Sequence, residues 1–270
     1  MIYPEDEWKG IWDLFITIVL ISTCVITPYI IAFDVGDKEK NPGWYWSNVI
    51  MDICFALDIV LTFLTCRYDE DFVLEQDRWE IAKSYLSGWF LIDFVAVLRF
   101  NWFIPDMTDE GIGNKMGRAL KIGKLSKLIK LTRLLRILKM VKEKSKLVKY
   151  LKAIMRIGVG IQRLIFFMLA SMLICHIFTC LWIFFAKLSV DADSQYEGTW
   201  IGANEKFHDA SSSELYLSSF YFIITTITTV GYGDIYPTKS NPTEMILGIV
   251  LMIGGVIGFS FASGALTSIL

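Results

Sequence analysis

The chain has 270 residues, of which 54% are hydrophobic and only 20% charged, with a formal net charge of −2. A soluble domain carries about 45–50% apolar and about 25% charged residues, and here the apolar residues gather into runs that approach or pass the ~18 needed to cross a bilayer. A soluble enzyme, a secreted disulfide scaffold and a disordered chain are thereby excluded. The expected class is an all-α membrane protein with six transmembrane helices and one re-entrant helix.

In chain order, the first span is expected at about 11–33, with Pro28 late in it. The second, about 46–66, carries Asp52 and Asp58. A polar, acidic stretch (67–83) precedes a third span at about 85–102, which contains Asp93. The fourth, about 115–141, is strongly basic, and a basic connector (142–156) leads to the fifth at about 161–185. After a polar loop (187–213), the semi-apolar segment 214–227 is too short to span and reads as a re-entrant helix. The last span is expected at about 243–270.

Charge is distributed unevenly: 16 of the 26 Lys and Arg lie between Lys115 and Arg163, with Glu143 as the single acid among them. Leu and Ile interleave these bases at membrane-span density, so nucleic acid is not an expected partner. The connector bases Lys142, Lys144, Lys146, Lys149, Lys152 and Arg156 place that connector, and with it both chain ends, in the cytoplasm. No signal peptide is expected, because the opening residues lack a basic region and a cleavage site. Cys24, Cys54, Cys66, Cys175 and Cys180 all sit in apolar runs and read as buried small hydrophobes. His176 and His208 are the only histidines and lie far apart, so no metal-ligand spacing is present.

From the fourth span into the start of the connector, Lys115, Arg118, Lys121, Lys124, Lys127, Lys130, Arg133, Arg136, Lys139 and Lys142 recur at strict intervals of three. On an α-helix such a stripe drifts by about 60° per charge; on a 3₁₀-helix it is straight. A surface helix on anionic lipid predicts i, i+3, i+4, i+7 spacing instead. The pattern predicts a voltage sensor, with Lys121, Lys124, Lys127, Lys130, Arg133, Arg136 and Lys139 as its charges. Three charges in each of four subunits, crossing 100 mV, supply roughly 28 kcal/mol. Bases inside a membrane need partners, and Asp52, Asp58 and Asp93 are the available carboxylates. Asp52, Phe55 and Asp58 lie near one helix face, with Phe55 as the apolar plug past which each base hops.

After the re-entrant helix comes Thr229-Val230-Gly231-Tyr232-Gly233, followed by Asp234. Thr-Val-Gly-Tyr-Gly is the known selectivity-filter motif of potassium channels. Gly231 and Gly233 permit backbone angles closed to other residues, so that carbonyls face one axis and replace the water shell of K⁺. Tyr232 is expected to pack outward against the re-entrant helix, and Asp234 to raise cation concentration at the outer mouth. One chain supplies a quarter of each oxygen ring, so a tetramer is required.

These pieces together resemble the six-span voltage-gated cation channel superfamily, and within it the ether-à-go-go/cyclic-nucleotide-gated branch. The resemblance is carried by Trp12-Asp13 and Thr27-Pro28-Tyr29 on the first span. It continues through the run from Asp52 to Val60 on the second, Gly88-Trp89-Phe90-Leu91-Ile92-Asp93 on the third, the run from Cys175 to Trp182 on the fifth, and the filter. It implies a voltage-sensor domain over 1–142, a connector over 143–157 and a pore domain over 158–270. It assigns Phe55, Asp58 and Asp93 to the charge-transfer site. It also implies a cytoplasmic linker and a cyclic-nucleotide-binding type of domain after the last span, beyond Leu270. Two departures are Arg99-Phe100, where the family has a proline, and a sensor rich in lysine rather than arginine, which keeps charge but loses the bidentate fork.

Gly254 and Gly255 are candidates for a hinge in the last span, with Phe261, Leu266 and Ile269 as an apolar constriction below it. The expected function is a voltage-gated, K⁺-selective channel in the plasma membrane, a homotetramer or a heterotetramer with related subunits. The expectation includes no catalysis and no cofactor beyond K⁺ as permeant ion. The alternatives are a cyclic-nucleotide-gated cation channel and a non-conducting regulatory subunit. A transporter would predict inverted repeats, which the sequence lacks.

Overall fold

The computed structural model describes residues 1–36, 41–68, 74–98, 128, 131–135, 138, 159–189 and 196–267. Among them are seven α-helices: α1 (Glu7–Phe33), α2 (Pro42–Leu64), α3 (Arg78–Ser87), α4 (Phe90–Val97), α5 (Val159–Ser189), α6 (Ser212–Ile227) and α7 (Pro242–Thr267). Strands β1 (Arg67–Tyr68) and β2 (Leu74–Glu75) pair antiparallel, with Arg67 opposite Glu75. Leu131–Leu135 and Glu205–Phe207 are 3₁₀ turns. Four helices contain segments long and apolar enough to cross a membrane: Glu7–Phe33, Pro42–Leu64, Leu164–Ser189 and Pro242–Phe261.

The described residues therefore carry four of the six expected spans as long helices, and the third differs from expectation. In place of one helix over 85–102, α3 starts at Arg78 and stops at Ser87, and α4 starts at Phe90. The cause is local. Gly88 leaves helical angles (φ −109, ψ −104) while its N–H still closes onto the Tyr85 carbonyl. Upstream, the Asp77 side chain accepts from the Trp79 N–H and starts α3 earlier than hydropathy alone suggests. Most of the fourth span lies outside the described residues, as do the expected domain boundaries at 142 and 157.

The chain forms two compact units. The first comprises the described residues of Met1–Thr27, Val35–Gly111 and Leu125–Ile154. Several hydroxyls of α1 are satisfied within the helix: Thr17, Ser22 and Thr23 each donate to the carbonyl four residues back, which suits a polar side chain on an apolar helix. Lys9 and Asp13, four apart on α1, form an ion pair. The residues before α1 are fixed to the end of α2 by Ile2 N–H to Leu64 O (3.1 Å) and Cys66 N–H to Ile2 O (2.9 Å). Helices α2, α3 and α4 pack together, with Phe63, Tyr85 and Phe90 meeting edge to face. The 3₁₀ turn at Leu131–Leu135 packs on α4.

The second unit comprises the described residues of Pro28–Asp34 and Met155–Leu270. Here α5, α6 and α7 pack pairwise around fully buried Trp182, Ile183, Ile223 and Leu251. The Trp182 ring stacks on Phe222 of α6 at 4.6 Å and on Trp200 at 5.9 Å. Helix α6 begins with a capping box: the Ser211 hydroxyl accepts from the Glu214 N–H, and the Glu214 carboxylate accepts from the Ser211 N–H at 2.8 Å.

Candidate functional site

In the first unit, Asp52, Phe55 and Asp58 on α2 and Asp93 on α4 are all buried. A buried carboxylate is costly unless charged or hydrogen-bonding partners meet it. Trp12 and Tyr85 are two such donors among the described residues. Trp12 Nε1 donates to Asp58 at 3.2 Å, and the Tyr85 hydroxyl donates to Asp93 at 2.7 Å. Phe55 and Asp93 share a cavity of about 10 Å³ with Ile59, Ile92, Ala96, Val97 and Leu135. This volume suits about one water. Leu135 brings the 3₁₀ turn of the basic segment to the same cavity. Phe55 and Asp93 thus meet at one cavity, while Asp58 and Asp52 lie three residues to either side of Phe55 along α2.

Of the expected sensor charges, Arg133 lies in the 3₁₀ turn, where a step of three gives a straight stripe. Its side chain, and all of Lys121, Lys124, Lys127, Lys130, Arg136 and Lys139, lie outside the described residues.

In the second unit, α6 ends at Ile227 and the chain turns sharply into the Thr229–Gly233 segment. Backbone φ is positive at Thr229 (61), Gly231 (53) and Gly233 (76), while Val230 and Tyr232 between them are not in that region. An ordinary strand points successive carbonyls to opposite sides. Alternating left- and right-handed residues turn them to one side. The turn is held from behind: Val230 N–H and Gly231 N–H both donate to the Thr225 carbonyl, at 2.9 and 3.0 Å. Tyr232 lies parallel to Tyr221 of α6, with ring centres 6.3 Å apart. Asp234 accepts from the Ile235 N–H at 3.0 Å.

Beyond Asp234, the segment leading to α7 is held by a residue the sequence reading passed over. Glu244, in the first turn of α7, is completely buried. Its carboxylate accepts from Trp200 N–H (3.2 Å) and Thr238 N–H (3.0 Å). Asn241 caps the same turn, its Oδ1 accepting from Thr243 N–H and Glu244 N–H at 3.2 and 3.4 Å. The run Asn-Pro-Thr-Glu carries the helix-start signal; nothing in it announces the contact with Trp200. Trp12 and Tyr85 were missed for the same reason, since their partners become visible only in the fold.

At the candidate hinge, α7 continues without a break through Gly254 and Gly255. Gly255 is buried, and a side-chain carbon there would lie 2.9 Å from the Ile227 Cα; at Gly254 it would meet open space. Phe261 is exposed, and the side chain of Leu266 and all of Ile269 lie outside the described residues.

The family model described as "Ion transport protein" matches residues 9–269. The chain is 31% identical over 257 residues to potassium channel KAT1 of Oryza sativa subsp. japonica, covering 94% of this chain and 32% of that protein. It is 26% identical over 285 residues to the potassium voltage-gated channel protein eag of Drosophila melanogaster, covering 97% and 22%. It is 27% identical over 292 residues to the voltage-gated delayed rectifier potassium channel KCNH5 of Homo sapiens, covering 97% and 26%. The chain thus spans a third or less of the length of these curated relatives. With the family model covering nearly all of it, the chain belongs to the ion transport protein family.

Proposed function

We propose that this chain is a subunit of a voltage-gated, K⁺-selective channel that conducts K⁺ passively through a tetrameric pore in the plasma membrane, with both chain ends cytoplasmic. The observation that carries the reading is the alternating backbone of Thr229–Gly233, tied to the end of α6 through the Thr225 carbonyl. Four such segments around one axis present rings of oxygens to a dehydrated ion. K⁺ is the transported ion, and the chain's own residues act on it by replacing its water shell; Asp234 adds negative charge at the mouth. Residues 1–142 serve as the voltage sensor, 143–157 as its connector and 158–270 as the pore domain. In the sensor, the bases of the fourth span exchange between Asp52, Asp58 and Asp93 past Phe55. Gly254 and Gly255 provide the bend that opens the inner helices. The named activities of KAT1, eag and KCNH5 support the same reading.

The test is the reversal potential and conductance–voltage curve of the chain in a planar bilayer under a K⁺/Na⁺ gradient. A reversal near the K⁺ equilibrium potential with a steep curve is expected. A reversal near zero would point to a poorly selective, cyclic-nucleotide-gated type of channel. Absence of current from assembled tetramers would point to a regulatory subunit instead.

A further inference from the structure

Glu244 has no part in the conduction path described above, yet it is completely buried. Among the described residues no lysine or arginine pairs with it. Its charge is instead met by the amino end of α7, where the helix dipole favours an anion, and by backbone N–H groups. A carboxylate that merely capped its own helix would accept from first-turn amides. This one leaves that task to Asn241 and reaches outward, to Thr238 on the segment leaving the filter and to Trp200, 44 residues upstream.

Both partners lead back to the filter. Thr238 lies five residues beyond Gly233, so its anchorage limits how far the filter exit can move. Trp200 stacks on Trp182, and Trp182 on Phe222 of α6. The Phe222 carbonyl accepts from the Thr225 and Thr226 hydroxyls, at 3.0 and 2.8 Å, and the Thr225 carbonyl holds the Val230 and Gly231 amides. Between the two arms is a cavity of about 60 Å³, lined by Trp200, Asn204, Phe207, Asp234 and Tyr236 among others. An untied filter exit has this space to collapse into.

We propose that Glu244 is a positioning residue for conduction: one buried carboxylate fastens both the segment leaving the filter and the Trp200 stack to the inner helix, and so holds the filter open to K⁺. The proposal rests on the pore reading given above. It predicts that weakening the tie leaves voltage sensing intact but makes the open filter fail sooner, most of all when external K⁺ is scarce.

The test compares the 270-residue chain with Glu244→Gln, which keeps size but loses charge and turns an N–H₂ toward the donors, and with Glu244→Asp, which keeps charge but withdraws it by one methylene. Two quantities are read: the decay of K⁺ current during sustained opening at low and high external K⁺, and the rise in tetramer melting temperature when Na⁺ is replaced by K⁺. For Glu244→Gln the decay at low K⁺ should quicken roughly three- to tenfold, the factor that about one net hydrogen bond supplies. High external K⁺ should slow it again, the K⁺-dependent melting shift should shrink, and the conductance–voltage midpoint should stay in place. Glu244→Asp should move the same quantities less far, and it decides the matter if Glu244→Gln does not assemble. Wild-type decay and melting shift in an assembled variant would overturn the proposal, as would a faster decay indifferent to external K⁺. A wild-type chain with neither K⁺ current nor a K⁺-dependent melting shift would instead overturn the pore reading, and this proposal with it.

Discussion

Thr229 is β-branched and holds φ 61, a conformation such residues adopt rarely. A residue kept there costs about 1–3 kcal/mol and persists only when its surroundings over-determine it; here the Thr229 N–H donates to the Thr226 carbonyl at 3.1 Å. Gly231 and Gly233 adopt positive φ without a side chain to strain. Gly231→Ala should therefore cost about 1–2 kcal/mol in filter geometry and move the reversal potential toward that of Na⁺, measured under a K⁺/Na⁺ gradient. Gly255 is constrained differently, by the Ile227 backbone 2.9 Å from where a side chain would start. Gly255→Ala should destabilise the second unit by about 1–3 kcal/mol, while Gly254→Ala, facing open space, should cause no such loss. Paired thermal melts in the same lipid separate the two. At the candidate sensor, the Tyr85 hydroxyl competes with any arriving base for Asp93. Tyr85→Phe removes that competitor, and a net hydrogen bond of about 1 kcal/mol equals a midpoint shift of roughly 15 mV for about three sensing charges. Gating currents should show charge leaving Asp93 more slowly, with unchanged total charge.

Helix ends explain where sequence and structure agree and where they part. Helix α6, read from the sequence as 214–227, runs Ser212–Ile227: its apolar content set the reading, and the Ser211–Glu214 capping box starts it two residues earlier. The Glu214 carboxyl is held below its ordinary value by its hydrogen bonds from the Ser211 backbone and side chain. A lowered folded value means the cap contributes above the ordinary glutamate range and is lost as pH falls through the folded one. Ser211→Ala should therefore destabilise α6 by about 1 kcal/mol at neutral pH, and the difference from wild type should narrow in acid, as melting curves at several pH values would show. The third span was read less well. Hydropathy from Tyr85 onward is continuous, and a run of apolar residues does not reveal that Gly88 turns out of the helix. Asp58 and Asp93 could be named because carboxylates are unusual inside a membrane, and the candidate filter because Thr-Val-Gly-Tyr-Gly is a known motif. Trp12, Tyr85, Trp200 and Glu244 could not, because each acts through a partner that only folding brings near.

At the scale of the molecule, the surfaces of one subunit argue for more than one. Val230 and Tyr232 of the proposed filter segment are 53% and 70% exposed. Along α7, Ile246, Ile249, Val250, Ile253, Val256 and Ile257 are all exposed as well, and their spacing of three and four puts them on one apolar face of the helix. Lipid can cover one such face, since it is as apolar as the side chains, but lipid offers the filter no oxygens. A single row of carbonyls also leaves K⁺ mostly stripped of its water with too few replacements, a large electrostatic loss. A closed ring of identical subunits meets both demands through one repeated heterologous interface. The chain purified in mild detergent should therefore have a protein mass four times its 30.9 kDa, measured by native mass spectrometry. K⁺ should protect that assembly against heat more than Na⁺ does, because only an ion that fits the ring binds all four subunits at once and so stabilises the assembled state by mass action. A monomer or dimer carrying the same K⁺ selectivity would refute the ring, and a tetramer indifferent to K⁺ would show that assembly does not depend on the filter.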